Sequence, residues 1–239
     1  MSADAGVPTF RGHQGLWGDV DPEIYASLDG FLAEPDKVWE WYRQRRFEIA
    51  SVEPHPGQRS LALLQRFSPE AMQVLVATTN EDDLLERAGL ESVIQLHGSL
   101  FTTRCLDSCG WEVSDDADNA WSLRDCPRCG ARTRPGSIWF GEKLDPELTQ
   151  ALEDFAADGC LVVGSSSVVQ PIAAIPPEMA LAGLPVVEVN IARTPLSDSV
   201  TVHLQGSAAS ILPHLVDQLT SAVIRAQQHT LNSSVEQAS

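Results

Sequence analysis

Apolar and polar positions in the first quarter of the chain follow a helical period. Apolar side chains recur there at three- and four-residue spacing, and each segment begins with Asp, Glu-Pro or His-Pro, which is typical of helix N-termini. The segments are 21–32, 34–50 and 55–67. We therefore expect residues 13–67 to form a helical part of the structure.

Beyond residue 67, short Val-rich runs alternate with helical segments. A continuous apolar run that ends in polar turn residues is typical of a buried parallel strand. We predict strands in 72–80, 92–99, 137–144, 160–167 and 199–208, helices in 81–90, 146–159 and 209–226, and a helix followed by a strand in 177–190. This alternation predicts an α/β fold with a doubly wound parallel (Rossmann-like) sheet, which binds ligands at the carboxyl ends of its strands.

Two insertions interrupt the predicted sheet. Residues 13–67 are helical, and residues 101–137 are polar and loop-like. We expect the two insertions to form one smaller module beside a Rossmann-like domain made of 1–12, 68–100 and 138–225. The polar segment 226–239 is predicted to be a disordered tail.

Composition narrows the possible partners. The 239 residues carry 33 acidic and 16 basic side chains, a net charge of −17. Binding to a phosphate backbone needs a basic excess, so we expect no nucleic-acid partner. The chain has no apolar run long enough to cross a bilayer, and its first residues do not resemble a signal peptide, so we expect a cytoplasmic protein without a membrane partner.

Four of the five cysteines form two close pairs, CLDSC at Cys105 and Cys109 and CPRC at Cys126 and Cys129. Two such pairs supply the four thiolates of a tetrahedral zinc site, and a site with four protein ligands is structural rather than catalytic. The alternative, four unrelated buried thiols, is much less favoured by the spacing. The fifth, Cys160, lies in an apolar run and is expected to be a core residue.

Several stretches occur in the order found in one family. They are SADAGVPTFRG, ESVIQLHGSLFTTRC, the paired cysteines, RPGSIWFGE, CLVVGSSSVVQP and PVVEVN. Together they resemble the sirtuins, the NAD-dependent protein-lysine deacylases, over nearly the whole chain up to about residue 220. The resemblance implies NAD as cofactor, a structural zinc ribbon, acyl-lysine proteins or peptides as substrates, and nicotinamide and O-acyl-ADP-ribose as products.

The resemblance also implies roles for individual residues. His97 matches the general base that deprotonates a ribose hydroxyl, and Asn80 and Asp82 match the residues that hold the ribose and the nicotinamide. Segment 138–142 matches the edge that pairs with the substrate backbone through Ile138, Phe140, Gly141 and Glu142. The other cofactor-binding positions that the resemblance implies are Ser2, Ala3, Phe10, Arg11, Thr79, Gly164, Ser165, Ser166, Asn190 and Ala208.

Tyr42 and Arg45 indicate which acyl group the protein removes from lysine. Residues three apart share one face of a helix, and a guanidinium and a phenol together can bind a carboxylate. The pair resembles the feature of class III sirtuins, which accept succinyl, malonyl or glutaryl lysine. We therefore predict a desuccinylase or demalonylase that also deacetylates. An amphipathic helix with an exposed Arg is the simpler alternative.

The chain departs from the family pattern at several positions. Thr79 stands in place of Gln, Leu85 in place of His, and the first cysteine pair has one extra residue. Glu81 stands where Ile or Val lines the nicotinamide pocket, and a buried carboxylate is costly unless it is paired or protonated. These departures leave two other functions open, a non-catalytic homologue that binds NAD or ADP-ribose and a protein ADP-ribosyltransferase. A zinc-ribbon regulator outside the family is disfavoured by the acidic charge.

The opening stretch matches a loop that, in the family, follows a strand and a Gly-Ala-Gly sequence. Met1 occupies the position directly after these glycines. We therefore expect the natural start to lie upstream of Met1, and a chain beginning at Met1 to bind NAD weakly and to have low stability.

Overall fold

The computed structural model describes residues 1–9, 20–67, 72–115 and 124–237. The helices are α1 (Pro22–Tyr25), α2 (Leu28–Ala33), α3 (Pro35–Ala50), α4 (Pro56–Arg66), α5 (Leu84–Arg87), α6 (Pro146–Asp154), α7 (Ile175–Leu181) and α8 (Ala208–Gln237). The strands are β1 (Ala77–Thr78), β2 (Ile94–Gln95), β3 (Thr102–Cys105), β4 (Glu112–Ser114), β5 (Thr133–Pro135), β6 (Cys160–Val163), β7 (Val186–Asn190) and β8 (Val202–Gln205).

The predicted helix over 21–32 is two short helices. Asp21 caps the first of them by accepting a hydrogen bond from the Glu23 amide at 2.9 Å. The Ser27 hydroxyl accepts from the Gly30 amide at 3.0 Å and so begins a second helix one turn later. A side chain that caps a helix satisfies amides that have no partner within it, so the cap at Ser27 favours a new start over continuation.

Helix α3 supplies most of the core of the helical part. Val38, Trp39, Tyr42 and Ile49 on its inner face are almost completely buried. They pack with Phe31 of α2 and with Leu84, Leu100 and Trp139 in a single apolar cluster. The predicted helices 34–50 and 55–67 are confirmed, since α3 and α4 cover nearly the same residues.

The parallel strands form two separate groups in the described part of the chain. Strands β6, β7 and β8 lie side by side in that order, and β1 pairs with β2. The predicted strands over 72–80 and 92–99 are longer than the two-residue strands observed, because only Ala77 and Thr78 find ladder partners, in Ile94 and Gln95. The α/β class with parallel strands is confirmed, and the carboxyl ends of these strands lead to Asn80, His97, Gly164 and Asn190.

The cysteine-rich insertion is more ordered than the sequence predicts. Strand β3 pairs with both β4 and β5 in an antiparallel sheet. All three residues of β4 are exposed, so this strand has no apolar run that would have revealed it. Short polar strands of this kind depend on their neighbours rather than on their own sequence.

Two further predictions are wrong. Segment 137–144 is not a strand, because the amides of Ile138 and Phe140 donate to His97 and Ala26, which belong to different parts of the chain. The segment predicted to be a disordered tail continues helix α8 as far as Gln237. Neither Gly nor Pro occurs after Pro213, so the sequence contains no strong helix breaker there. None of the helices in the described ranges is long and apolar enough to span a membrane.

Candidate active site and metal centre

The four paired cysteines converge on one point. Their sulfur atoms all lie within 4.8 Å of one another. The Sγ atoms of Cys105 and Cys129 are 3.4 Å apart, and those of Cys109 and Cys126 are 3.6 Å apart. Zinc with four thiolates at ~2.3 Å requires sulfur separations of ~3.8 Å, so the donor set fits a tetrahedral zinc ion.

A backbone hydrogen bond within the cluster acts on the thiol of Cys105. The Cys109 amide is the largest cause that lowers the pKa of Cys105 to about 7. Metal ions bind the thiolate form, so this hydrogen bond favours binding by Cys105, whereas burial raises the pKa of Cys109 and opposes it. With four protein ligands, the centre leaves no coordination position for a substrate, so it would act by holding β3 and the loops on either side of it together.

His97 follows strand β2 and is partly buried. Its Nδ1 atom lies 3.1 Å from the Thr79 carbonyl oxygen. A carbonyl oxygen can only accept, so Nδ1 carries the proton and the lone pair of the neutral ring is on Nε2. Burial lowers the pKa of His97 from its ordinary value, and the Thr79 contact opposes this only partly. His97 is therefore a neutral imidazole near pH 7, with Nε2 able to accept a proton.

Asn80 and Asp82 lie in the loop after β1, where they meet the first residues of the chain. The Asn80 amide donates to the Ser2 hydroxyl at 2.8 Å. Asp82 and Ser2 are both buried, and the Asp82 carboxylate accepts from the Leu84 amide at 3.2 Å. Burial is the main cause that raises the pKa of Asp82, and a hydrogen bond from Ser2 opposes it. Three residues predicted to bind the cofactor are thus brought together.

The ends of strands β6 and β7 meet in the same region. Asn190 donates to the Ser165 carbonyl at 2.7 Å and so ties the two strand ends together. Gly164 has a φ of +60°, and a Cβ added there would lie 2.3 Å from the Met1 nitrogen. Only glycine allows this approach of the opening segment to the end of β6.

Helix α8 begins beside these strand ends. A Cβ on Gly57 would lie 2.4 Å from the Ala208 carbonyl oxygen, so α4 and α8 are in close contact. The Ala209 amide donates to the Asp4 carboxylate at 3.0 Å, which satisfies one of the unpaired amides at the start of α8. Ala208 therefore lies close to the opening loop. Ala3 in the opening loop and Ser166 in the segment after β6 are exposed.

Tyr42 and Arg45 lie on the inner face of α3, with exposed fractions of 2% and 3%. The Trp139 indole donates to the Tyr42 hydroxyl at 2.9 Å. Arg45 donates to Glu48 at 3.2 Å; burial lowers the pKa of Arg45, and the charges of Glu48 and Glu81 oppose this. The alternative of an exposed Arg on an amphipathic helix is therefore wrong, because Arg45 is buried.

Glu81 faces this pair from the loop after β1. The Ser137 hydroxyl donates to its carboxylate at 2.7 Å. Burial is the main cause that raises the pKa of Glu81 to about 7, while the Ser137 bond and the Arg45 charge lower it. Glu81 is paired and also able to take up a proton, the two conditions under which a carboxyl can be buried at acceptable cost.

Segment 138–142 is held by ion pairs. Glu142 accepts from Arg134, from Arg104 at 3.2 Å and from the Trp139 amide at 2.7 Å. The Arg134 guanidinium also stacks on the Trp139 ring, 3.4 Å from its centroid. Glu142, which is predicted to bind the substrate, thus fixes the conformation of the segment. Phe140 and Gly141 of the same segment are exposed.

Comparison with known proteins identifies the family. The Sir2 family model matches residues 1–171. The chain belongs to the Sir2 family. The NAD-dependent protein deacylase Sir2 of Mycolicibacterium smegmatis is 42% identical over 235 residues, which are 94% of this chain and 95% of the relative.

Two further proteins extend the comparison. The mitochondrial NAD-dependent protein deacylase sirtuin-5 of Canis lupus familiaris is 36% identical over 239 residues, which cover 89% of this chain and 77% of the relative. The crystal structure of a Sir2 homolog–NAD complex superposes with a TM-score of 0.84 at 37% identity, and covers 93% of this chain and 86% of that chain.

For this sirtuin, most of the predicted site residues lie in the described part of the chain, and their roles stay predictions. Phe10 and Arg11 lie outside the described residues. Sequence reasoning missed Ser137 and Trp139 as partners of Glu81 and Tyr42. The RPGSIWFGE stretch contains both, but nothing in its pattern indicates side-chain contacts with helix α3 or with the loop after β1.

Proposed function

We propose that this sirtuin is an NAD-dependent protein-lysine deacylase. In the proposed reaction the acyl group moves from the lysine nitrogen to a ribose oxygen, nicotinamide leaves the ribose carbon, and water supplies the remaining oxygen and protons. The products are free lysine, nicotinamide and O-acyl-ADP-ribose. The observation that carries the proposal is His97, a neutral imidazole whose Nε2 can accept a proton, beside the loop that holds Asn80 and Asp82.

Each residue contributes a separate part of this chemistry. His97 takes a proton from a ribose hydroxyl and so makes its oxygen a better nucleophile. Asn80 and Ser2 offer polar groups for the ribose, and Asp82 offers a carboxyl group for the nicotinamide amide. NAD supplies the electrophilic ribose carbon. The fit of the cofactor is supported by the adjacent strand ends at Gly164, which is exposed, and Asn190, which is partly exposed, since sheets of this type bind ligands at the carboxyl ends of their strands.

The acyl group that best suits the pocket carries a carboxylate. Arg45 is buried, and a buried guanidinium binds a carboxylate more strongly than an exposed one because water screens the pair less. The Tyr42 hydroxyl accepts from Trp139 and can still donate its own proton to a carboxylate oxygen. We therefore infer that succinyl- and malonyl-lysine are preferred and that acetyl-lysine is a slower substrate.

The partners are acyl-lysine proteins or peptides. A net charge of −17 favours peptides with basic residues around the modified lysine. The exposed segment at Phe140 and Gly141 is the proposed docking edge. Because the amides of Ile138 and Phe140 are engaged within the chain, pairing there would rely on the other polar groups of the segment.

Mass spectrometry of an acyl-lysine peptide panel with NAD tests the proposal. We expect lysine peptide and acyl-ADP-ribose in equal amounts, with higher kcat/KM for succinyl than for acetyl peptide. Arg45→Met should reverse that order, because it keeps an unbranched side chain that can fill most of the same space and removes the charge. Arg43→Met, on the exposed face of the same helix, is the control. Equal rates on both peptides in the wild type and in Arg45→Met would contradict the acyl assignment.

A further inference from the structure

Glu81 is a carboxyl group near Tyr42 and Arg45, the proposed acyl-lysine site, and the proposed reaction does not use it. It is partly buried in the loop after β1, and it accepts a 2.7 Å hydrogen bond from the fully buried Ser137. Its charge acts on Tyr42 and on Arg45, the two residues proposed to bind the acyl carboxylate. A second negative charge in this position opposes a carboxylate brought in by the substrate.

We propose that Glu81 is a protonation-dependent specificity residue, which lets the pocket accept a carboxylate-bearing acyl group when it is neutral and favours an uncharged acyl group when it is ionised. This inference rests on the proposed function, since it concerns the same acyl-lysine site. Protonated Glu81 adds no negative charge near Arg45, whereas ionised Glu81 competes with a substrate carboxylate for the Arg45 charge. Like charges close together in a partly buried site repel each other strongly enough to change the preferred ligand.

The groups around Glu81 allow both protonation states near neutral pH. Arg45 on α3 and the Ser137 hydroxyl favour the ionised form, whereas burial and the neighbouring Asp82 favour the neutral form. Tyr42 on α3 keeps its proton throughout, because burial and the Glu81 charge raise its pKa. Glu48, which pairs with Arg45, has 41% of its side chain exposed, so water screens its charge in part. Burial prevails, so the pKa of Glu81 is about 7.

Isothermal titration calorimetry with succinyl- and acetyl-lysine peptides of the same sequence tests the proposal without turnover. The measured quantity is the ratio of the acetyl to the succinyl Kd, from about pH 6 to about pH 8.5. A succinyl group stays ionised over this range, so its own titration does not contribute. We expect the ratio to fall about tenfold as pH rises in the wild type.

Two variants test whether the pH dependence of the Kd ratio comes from Glu81 or from another titrating group. Glu81→Gln keeps the shape and can still accept from Ser137, so the ratio should become independent of pH. Ser137→Ala removes a bond to the ionised carboxylate, so the transition should move to higher pH. The inference about Glu81 is overturned if the Kd ratio does not change with pH in the wild type, or if it changes equally in Glu81→Gln. Either result leaves the proposed function intact. Failure of both peptides to bind overturns the proposed function together with it.

Discussion

Arg46 on α3 and Asp115 directly after β4 form a buried ion pair, with Nη1 and Oδ2 3.0 Å apart. The two side chains are 0% and 2% exposed. Arg46 also donates to the Thr102 carbonyl at 2.6 Å, and Asp115 also accepts from Arg124 at 3.2 Å. This network joins helix α3 to the segment around strands β3 and β4, which is distant in sequence.

Arg46→Ala should therefore lower the free energy of unfolding by about 3–5 kcal/mol, because it leaves Asp115 buried with one of its two cations removed. Denaturant unfolding measures this. Arg43→Ala, which removes an exposed pair with Glu40 on the same helix, should cost about 1 kcal/mol or less. Similar losses of stability for the two variants would show that the buried ion pair contributes no more than the exposed one.

His97→Ala should lower kcat/KM by about 10²–10⁴-fold with little change in thermal unfolding, since it removes the base and leaves the core intact. The wild-type pH profile supplies a second check. A general base works in its neutral form, and burial lowers the pKa of His97 from the ordinary value of 6.5. At saturating peptide, where changes in peptide binding no longer affect the rate, kcat should thus be constant above pH 6.5 and fall as pH drops through the lowered pKa of His97. An acid limb that begins well above pH 6.5 would argue against His97 as the base.

Cys126→Ser should remove most of the bound zinc and lower the melting temperature, because three thiolates bind the ion more weakly than four and the sheet of β3, β4 and β5 depends on it. Metal analysis should find about one zinc ion per wild-type chain. Cys160→Ser lies outside the cluster and serves as the control, with full zinc content. Undiminished zinc in Cys126→Ser would contradict the assignment of the ligands.

Glu188 gives a prediction for stability at acid pH. Burial raises its pKa, but bonds from Ser197, Thr194 and His203 outweigh burial, and the net pKa is lowered from 4.5. A carboxyl with a lowered folded pKa stabilises the protein above its unfolded pKa, and this stability is lost as pH falls through the folded pKa. The free energy of unfolding should fall less steeply below about pH 4.5 in Glu188→Gln than in the wild type. The exposed Glu153→Gln should keep the wild-type slope, and a wild-type slope in Glu188→Gln would refute the prediction.

The sequence predicts those features that depend on local spacing or on an ordered set of motifs. The four cysteines converge because two short loops hold each pair close together. The prediction of a strand at 137–144 is wrong because the conformation of this segment depends on contacts that are distant in sequence. Its apolar residues are held by distant partners, such as Tyr42, which accepts from Trp139 across 97 positions. The Ser137–Glu81 bond spans 56 positions and likewise depends on the completed fold. No local pattern encodes such contacts.

Peptide-dependent release of nicotinamide tests the central claim most directly. The measurement compares nicotinamide formed from NAD with a succinyl-lysine peptide, with the same peptide unmodified, and with no peptide. We predict rapid release with the succinyl peptide only, matched by an equal amount of deacylated product. No release in any arm would show a protein that binds NAD or ADP-ribose without turnover. Release without deacylated product would instead indicate ADP-ribosyl transfer, and either result would contradict the deacylase assignment.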